Sequence, residues 1–349
     1  MMTVFYCLIL WVGTISLFSI DIKNKQNRNK IVIVLGCFGI FLIQALRAET
    51  IGHDLISYLP GYHMAENINI FTGERLFNYE IGYIFFSQVF SKLNFSNQWY
   101  LAVVALSIIG PIAYIWSKNS KMPGLSVFMY ITLGFFTFSF SGLRQSIAIA
   151  IVFFSFKYIQ EKRLIKFLLC VALAMLFHTT AIIFIFAYPL YYVSLKSIHF
   201  LFIIPSLIII FILKTKIFLL IYSLYRGMAG DIEATNAYTM LIVMILVLIL
   251  AYIFGSKDKQ NKRFNSYKNY MLVAILIQIF ASQSSVVMRA GYYYYLFITL
   301  LIPEVIKNQR DPKVRILIVG VLILALLYFF QKTTGNGYLD VSPYHFYWE

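Results

Sequence analysis

Long apolar runs separated by short polar stretches dominate the chain. Twelve runs approach the ~20 apolar residues that a helix needs to cross a bilayer core, within a range of about 17–25. They cover residues 2–20, 31–46, 99–117, 122–140, 143–158, 164–178, 179–193, 198–213, 237–254, 269–287, 291–306 and 314–330. Four neighbouring pairs are joined by almost no loop, as in tight helical hairpins. One further apolar stretch, 81–95, is short and carries Ser87, Gln88, Ser91 and Lys92. The pattern predicts a re-entrant or interfacial helix there, because polar or irregular chain at membrane depth is tolerated where it lines a cavity. Residues 47–98 then form one long outer segment, and 331–349 an outer tail. The expected architecture is all-α: a polytopic membrane helical bundle of about twelve spans plus the short helix, forming a single domain over 1–349.

Composition removes the other broad classes. Of 349 residues, 60% are hydrophobic and 12% charged, against about 45–50% and 25% in soluble domains. A soluble protein, a disordered chain and a secreted disulfide scaffold are all excluded. Cys7, Cys37 and Cys170 lie in apolar runs without CxxC spacing and read as small apolar fillers. No basic residue precedes the first run and no small-residue cleavage site follows it, so it reads as a retained span rather than a signal peptide.

Charge assigns the sides. The net charge of +15 would suggest nucleic acid in a soluble protein, but here its distribution matters more. Loop 21–30 holds Lys23, Lys25, Arg28 and Lys30, which places it in the cytoplasm and the N-terminus outside. Alternation then puts 20 of the 29 basic residues on cytoplasmic loops, whereas nine of the 14 acidic residues fall outside. This is the positive-inside bias, and counting 81–95 as a span would destroy it. Both termini are expected on the outer side, with no nucleic-acid partner. The halves show no internal repeat, which weakens a transporter reading.

Three arginines run against this trend. Arg47, Arg144 and Arg289 sit at the outer ends of expected spans, in LIQALRAET, FSGLRQSIAIAI and SVVMRAGYYYYLF. Each alone reads equally as an arginine snorkelling from a helix end. As a set they suggest an anionic ligand, since guanidinium binds phosphate in bidentate fashion. His178, at the tip of the hairpin 164–193, is either an interfacial histidine or a general base facing the same side. Glu49 and Asp54 lie close to Arg47 in sequence, as solvated loop charges or as partners of the site. The run Tyr292–Tyr295, including Tyr293, is an aromatic belt or a surface on which sugars stack. No metal-ligand spacing, GxxxxGK[ST] loop or GxSxG elbow is present, so no metal or cofactor is expected.

Several of these blocks are familiar in combination. RAETIGHDLISYLPGY resembles a family pattern of arginine, Gly-x-Asp turn and following tyrosine, here Arg47, Gly52, Asp54 and Tyr58. GLRQSIAIAIVFFSFKYIQEKRLIKF followed by LFHTTAIIF resembles the central signature of EpsG-type, Wzy-like polysaccharide polymerases. In that signature Arg-Gln opens a helix (Arg144, Gln145), a basic inner turn follows, and a histidine (His178) precedes small hydroxyl residues. RAGYYYYLFITLLIP and SPYHFYW resemble the late segments of the same family, although His53 inside the Gly-x-Asp turn and Thr179-Thr180 after His178 depart from its usual residues. The resemblance implies an O-antigen-type polymerase of the inner membrane with a fold like the GT-C bundles of O-antigen ligases. Its implied substrates are undecaprenyl-pyrophosphate-linked repeat units, used without a metal, and its implied partners are membrane lipid and a chain-length regulator protein. The residue inventory fits this chemistry: the candidate catalytic residues are His178, Asp54 and Arg144, with Arg47, Arg289, Glu49, Tyr58, Gln145 and Tyr293 as candidates to bind pyrophosphate or glycan. A lipid-linked oligosaccharide flippase and an O-antigen ligase are the alternative readings.

Overall fold

The computed structural model describes residues 3–19, 22–70, 76–226, 238–255, 260–335 and 339–349. Residues 21, 75 and 256–259, which contribute charges to the expected loops, lie outside these ranges. Among the described residues every element is helical, and the single strand-like pairing is an isolated bridge between Arg47 and Phe346. The chain forms two compact units, Met1–Ile182 with Arg310–Glu349, and Ile183–Gln309.

The first unit contains α1 (Thr3–Phe18), α2 (Lys25–Ala45), α3 (Leu55–Met64), α4 (Ile81–Lys92), α5 (Asn97–Asn119), α6 (Pro123–Thr132), α7 (Phe135–Ser141), α8 (Leu143–Gln160) and α9 (Leu164–Met175). Sequence sets several of these starts. The Asn24 side chain accepts hydrogen bonds from the Gln26 and Asn27 amides at 2.9 and 3.2 Å, satisfying donors that the first helical turn leaves free. Ser96 caps α5 in the same way. Nearly every residue of α6 and α7 and two thirds of α8 are buried, so these apolar helices form the core of the unit. In lipid there is little hydrophobic drive between helices, and packing and polar ties hold a bundle together. Such ties join Gln44 to Ser139 (α2–α7), Ser87 to Tyr100 at 2.9 Å (α4–α5) and Gln160 to Asn119 at 2.8 Å (α8–α5).

The second unit contains α10 (Ala187–Tyr192), α11 (Ser197–Arg226), α12 (Tyr238–Phe254), α13 (Lys262–Gln278), α14 (Ser285–Ala290), α15 (Tyr292–Tyr295) and α16 (Ile298–Lys307). The side chains of α13 tie it to α10: Tyr270 donates to the Ala187 carbonyl at 2.8 Å, and Asn269 to the Leu190 and Val193 carbonyls at 2.8 Å. Arg263 pairs with the buried Glu304 at 3.5 Å, joining the start of α13 to the end of α16. The last helix, α17 (Pro312–Thr334), returns to the first unit, with Asp311 as its cap and Pro312 in its first turn.

Four helices are long and apolar enough to cross a membrane: α2, α5, residues Ile198–Ser223 of α11, and α17. Two bent pairs raise the number to six if each is one span: α6 with α7, bent by 51°, and Val286–Tyr295 with α16, bent by 41°. Thr3–Phe18, Leu164–Met175, Thr179–Tyr192 and Tyr238–Phe254 are apolar but shorter. In α11 and α17 only 6% and 11% of the apolar window is buried. Apolar surface of that extent is suited to lipid rather than water. The protein is therefore an all-helical membrane protein.

Two expected spans have other limits. The run 198–213 was bounded by Lys214, yet α11 continues to Arg226. The Lys214 ammonium lies 4.2 Å from the Phe211 ring centre and 4.5 Å from that of Tyr238, and it donates to the Tyr238 hydroxyl at 2.6 Å. Cation–π contact lets the charge stay inside an apolar helix. The run 269–287 breaks after Gln278, where Gln278, Ser282 and Gln283 are buried polar residues. Polar side chains of this kind compete for the backbone bonds that a continuous helix needs. The expected short helix at 81–95 is present as α4, twelve residues long. At 1.5 Å per residue it spans about 18 Å, too short to cross a core about 30 Å thick.

Candidate functional site

The first turn of α4 places a carboxylate against the end of α9. The amides of Gly82 and Tyr83 donate to the Leu176 carbonyl at 2.9 and 3.2 Å, the second shared with the Glu80 carbonyl at 3.0 Å. Only glycine fits at this approach, because a Cβ on Gly82 would sit 2.5 Å from the Leu176 Cβ and 2.7 Å from its carbonyl oxygen. Glu80, immediately before α4, and His178, just after α9, are thereby held together. The Glu80 Oε1 accepts from His178 Nδ1 and from the Thr179 amide, both at 3.1 Å. Its Oε2 accepts from the Nη1 of Arg144, in the first turn of α8. One carboxylate thus joins a guanidinium to an imidazole.

Burial is partial, with side-chain exposures of 17% for Arg144, 14% for Glu80 and 24% for His178. Desolvation pushes the Glu80 pKa up, but the His178 hydrogen bond, the Arg144 charge and the Thr179 amide outweigh it, and the net shift is downward. An ionised Glu80 fixes the hydrogen of His178 on Nδ1 and leaves the lone pair on Nε2. Nε2 makes no hydrogen bond among the described residues.

Arg144 rests on tyrosines from the outer segment. Its guanidinium carbon lies 4.7 Å from the Tyr79 ring centre and 5.9 Å from that of Tyr58. Nε donates to the Tyr58 hydroxyl at 3.3 Å and Nη1 to the Asn78 carbonyl at 3.0 Å, while Nη2 has no partner among the described residues. The Tyr58 and Tyr79 rings stack at 5.5 Å. Burial raises the pKa of both phenols, with Arg144 offsetting part of the rise, so both are neutral near pH 7. A cation in the first turn is opposed by the helix dipole. Glu80 offsets that cost, and together the dipole and the guanidinium form an attractive place for an anion.

The structure distributes the expected site residues unevenly. Arg144, His178 and Tyr58 come together. Asp54 stands at the start of α3, where its charge acts on Tyr58 and Tyr79, but it is not a partner of Arg144. Glu49 is exposed and accepts from the Asn97 side chain at 2.6 Å. Gln145 is buried beside Arg144 on α8. Arg289, half-buried on α14, and Tyr293, fully buried on α15, belong to the second unit. With Tyr294 and Tyr295 also fully buried, this tyrosine run is part of that unit's core.

Arg47 is 2% exposed and has no carboxylate within ion-pair distance among the described residues. Its Nη1 donates to the Phe140 carbonyl at 2.7 Å, its guanidinium lies 4.9 Å over the Phe140 ring, and its Nε is unpaired. Burial lowers its pKa. In this conformation Arg47 caps the end of α7, just before the helix that presents Arg144, rather than facing an anion in solution.

Gly52, at φ +110°, makes the adjoining turn possible: a Cβ there would lie 2.4 Å from the Phe140 oxygen. The C-terminal segment closes over this turn. The Gly52 and His53 amides donate to the Asp340 and Leu339 carbonyls at 3.0 Å, Ala48 to His345 at 2.9 Å, and Tyr347 to Leu46 at 3.0 Å. Ser141, the last residue of α7, donates to the Leu339 carbonyl at 3.2 Å.

Sequence reasoning passed over Glu80, Asn78 and Tyr79. The available signal was a carboxylate directly before the apolar run 81–95 in the outer segment. Among the described residues, no group of three or more His, Cys, Asp or Glu is placed to hold a metal ion. Comparison with curated proteins and with solved structures finds no match. The EpsG family model, however, matches residues 30–346, nearly the whole sequence and all of the Arg144–Glu80–His178 cluster, and the chain therefore belongs to the EpsG family.

Proposed function

We propose that this EpsG-family membrane protein, of a kind that serves polysaccharide biosynthesis, is a surface-polysaccharide polymerase. It joins undecaprenyl-pyrophosphate-linked repeat units on the outer face of the cytoplasmic membrane. The bundle has about twelve spans in a GT-C-like arrangement, both termini lie outside, and a chain-length regulator is a partner. The observation that carries this reading is Glu80 bridging Arg144 and His178, which brings an anion-binding cation and a candidate base to one place.

In the reaction, the hydroxyl of an acceptor sugar attacks the anomeric carbon of the growing chain. The bond from that carbon to the pyrophosphate oxygen breaks, and undecaprenyl pyrophosphate departs as an anion. Arg144 stabilises the charge that develops on this leaving group, commonly the largest catalytic contribution. His178 Nε2 takes the hydroxyl proton, a role worth ~10²–10⁴-fold in rate, and later passes it to water. Asp54 is the second choice of base. Tyr58 fixes the plane of the Arg144 guanidinium.

Replacing Arg144 with alanine tests the proposal. At normal expression, the variant is expected to leave short or single-unit polysaccharide in cells; full-length polymer would overturn the reading. With purified protein and lipid-linked repeat units, elongation is expected to persist in a chelator. Loss of activity that a divalent ion restores would overturn the metal-free form of the mechanism.

A further inference from the structure

We propose that Glu80 is an exchangeable carboxylate, held on Arg144 in the free protein and displaced from it by the pyrophosphate of the donor, so that donor binding strengthens His178 as a base. The inference deepens the polymerase reading and rests on it for the identity of the donor. Three observations carry it. Glu80 divides its oxygens, one to Arg144 and the other to His178 Nδ1. Among the described residues Arg144 has no second carboxylate, and its remaining hydrogen-bond partners are the Tyr58 hydroxyl and the Asn78 carbonyl, which are neutral. The Thr179 amide holds the same Glu80 oxygen as His178, so the carboxylate stays beside the imidazole when its other oxygen is released.

Simple electrostatics gives the direction. A carboxylate neutralised by guanidinium stabilises an imidazolium weakly, whereas an unneutralised one stabilises it strongly. Pyrophosphate is the better ligand for guanidinium because it offers several charged oxygens in a bidentate arrangement. Its arrival removes the neutralising partner and leaves Glu80 acting on His178 alone. The base gains proton affinity only when a donor is present, which ties proton removal from the acceptor to occupancy of the leaving-group site. Asp54, Tyr58 and Tyr79 are the other titratable groups around Arg144. Glu80 is in these terms a positioning residue, since it touches neither the reacting carbon nor the acceptor hydroxyl.

The test separates binding from turnover. Glu80→Gln removes a competitor for Arg144, so the purified full chain should bind geranylgeranyl pyrophosphate in detergent about five-fold more tightly than the wild type. The same variant should elongate lipid-linked repeat units about 10²-fold more slowly. A side chain that only supported the fold would weaken both. Binding no tighter than wild type overturns the proposal. A second measurement uses the unaltered protein: at neutral pH the probe should move the His178 ring toward imidazolium in nitrogen NMR, with His178→Gln identifying the resonance. An unchanged ring on saturation also overturns the proposal. If the wild type elongates no lipid-linked units while both pyrophosphate responses remain, the exchange stands and the polymerase reading falls.

Discussion

At position 178, one imidazole nitrogen is committed to Glu80 and the other has no partner among the described residues. His178→Gln should therefore keep pyrophosphate binding and lose ~10²–10⁴-fold in elongation rate, measured with purified protein and lipid-linked units. Glu80 makes a second prediction. Its pKa is lower in the folded protein than the ordinary 4.5, so it contributes stability above that value. The contribution is lost as pH falls through the lower, folded value. Thermal unfolding in detergent should show wild type falling toward Glu80→Gln as pH drops below 4.5; parallel curves would contradict the assignment. Arg144 and His178 stood out in the sequence as polar groups inside apolar runs, although each also read as an ordinary snorkelling or interfacial residue. Glu80 was not, because it sits in the polar stretch FNYE and looks like any loop carboxylate until α4 folds. Arg47 stood out for the same reason as Arg144, yet its burial against Phe140 gives it a different task.

The contact between α4 and the end of α9 holds Glu80 beside His178, the proposed base. Gly82→Ala would drive a Cβ into the Leu176 backbone and separate Glu80 from His178. Polymer chain length in cells should shorten sharply at normal expression. Gly110→Ala, on α5 where nothing lies within 4 Å of the added Cβ, should be silent. Long apolar runs identified an all-helical chain, although only four helices, or six with each bent pair as one, are long enough to span; the starts of α2, α5 and α17 carry sequence caps. Ends were read less well. Lys214 marked a stop only because its aromatic partners, Phe211 and Tyr238, are close in space and one of them is 24 residues away in sequence. The bend between α6 and α7 falls at Gly134, whose φ of +88° is a left-handed conformation that glycine adopts readily.

For the whole molecule, orientation is the testable quantity. In a cysteine-free background, Ser57→Cys should react with an impermeant maleimide from outside intact spheroplasts, and Lys121→Cys only after lysis. The reverse result would invert every side assignment and remove the site from the outer face. Sorting charge by side reached this orientation from sequence alone. It could not show that the chain divides into two units, because both are built of equally apolar helices and differ only in which residues touch.

The closure of the turn at Gly52 by residues 339–349 also sets an order of assembly. Those residues follow the second unit in the chain, so a ribosome makes all of Ile183–Gln309 before the first unit can be finished. Insertion of the early helices must leave the turn at Ala48–His53 open, with the Gly52 and His53 amides waiting for Asp340 and Leu339. The turn at Ala48–His53 is thereby left unfinished until the last described helix, α17, has been made.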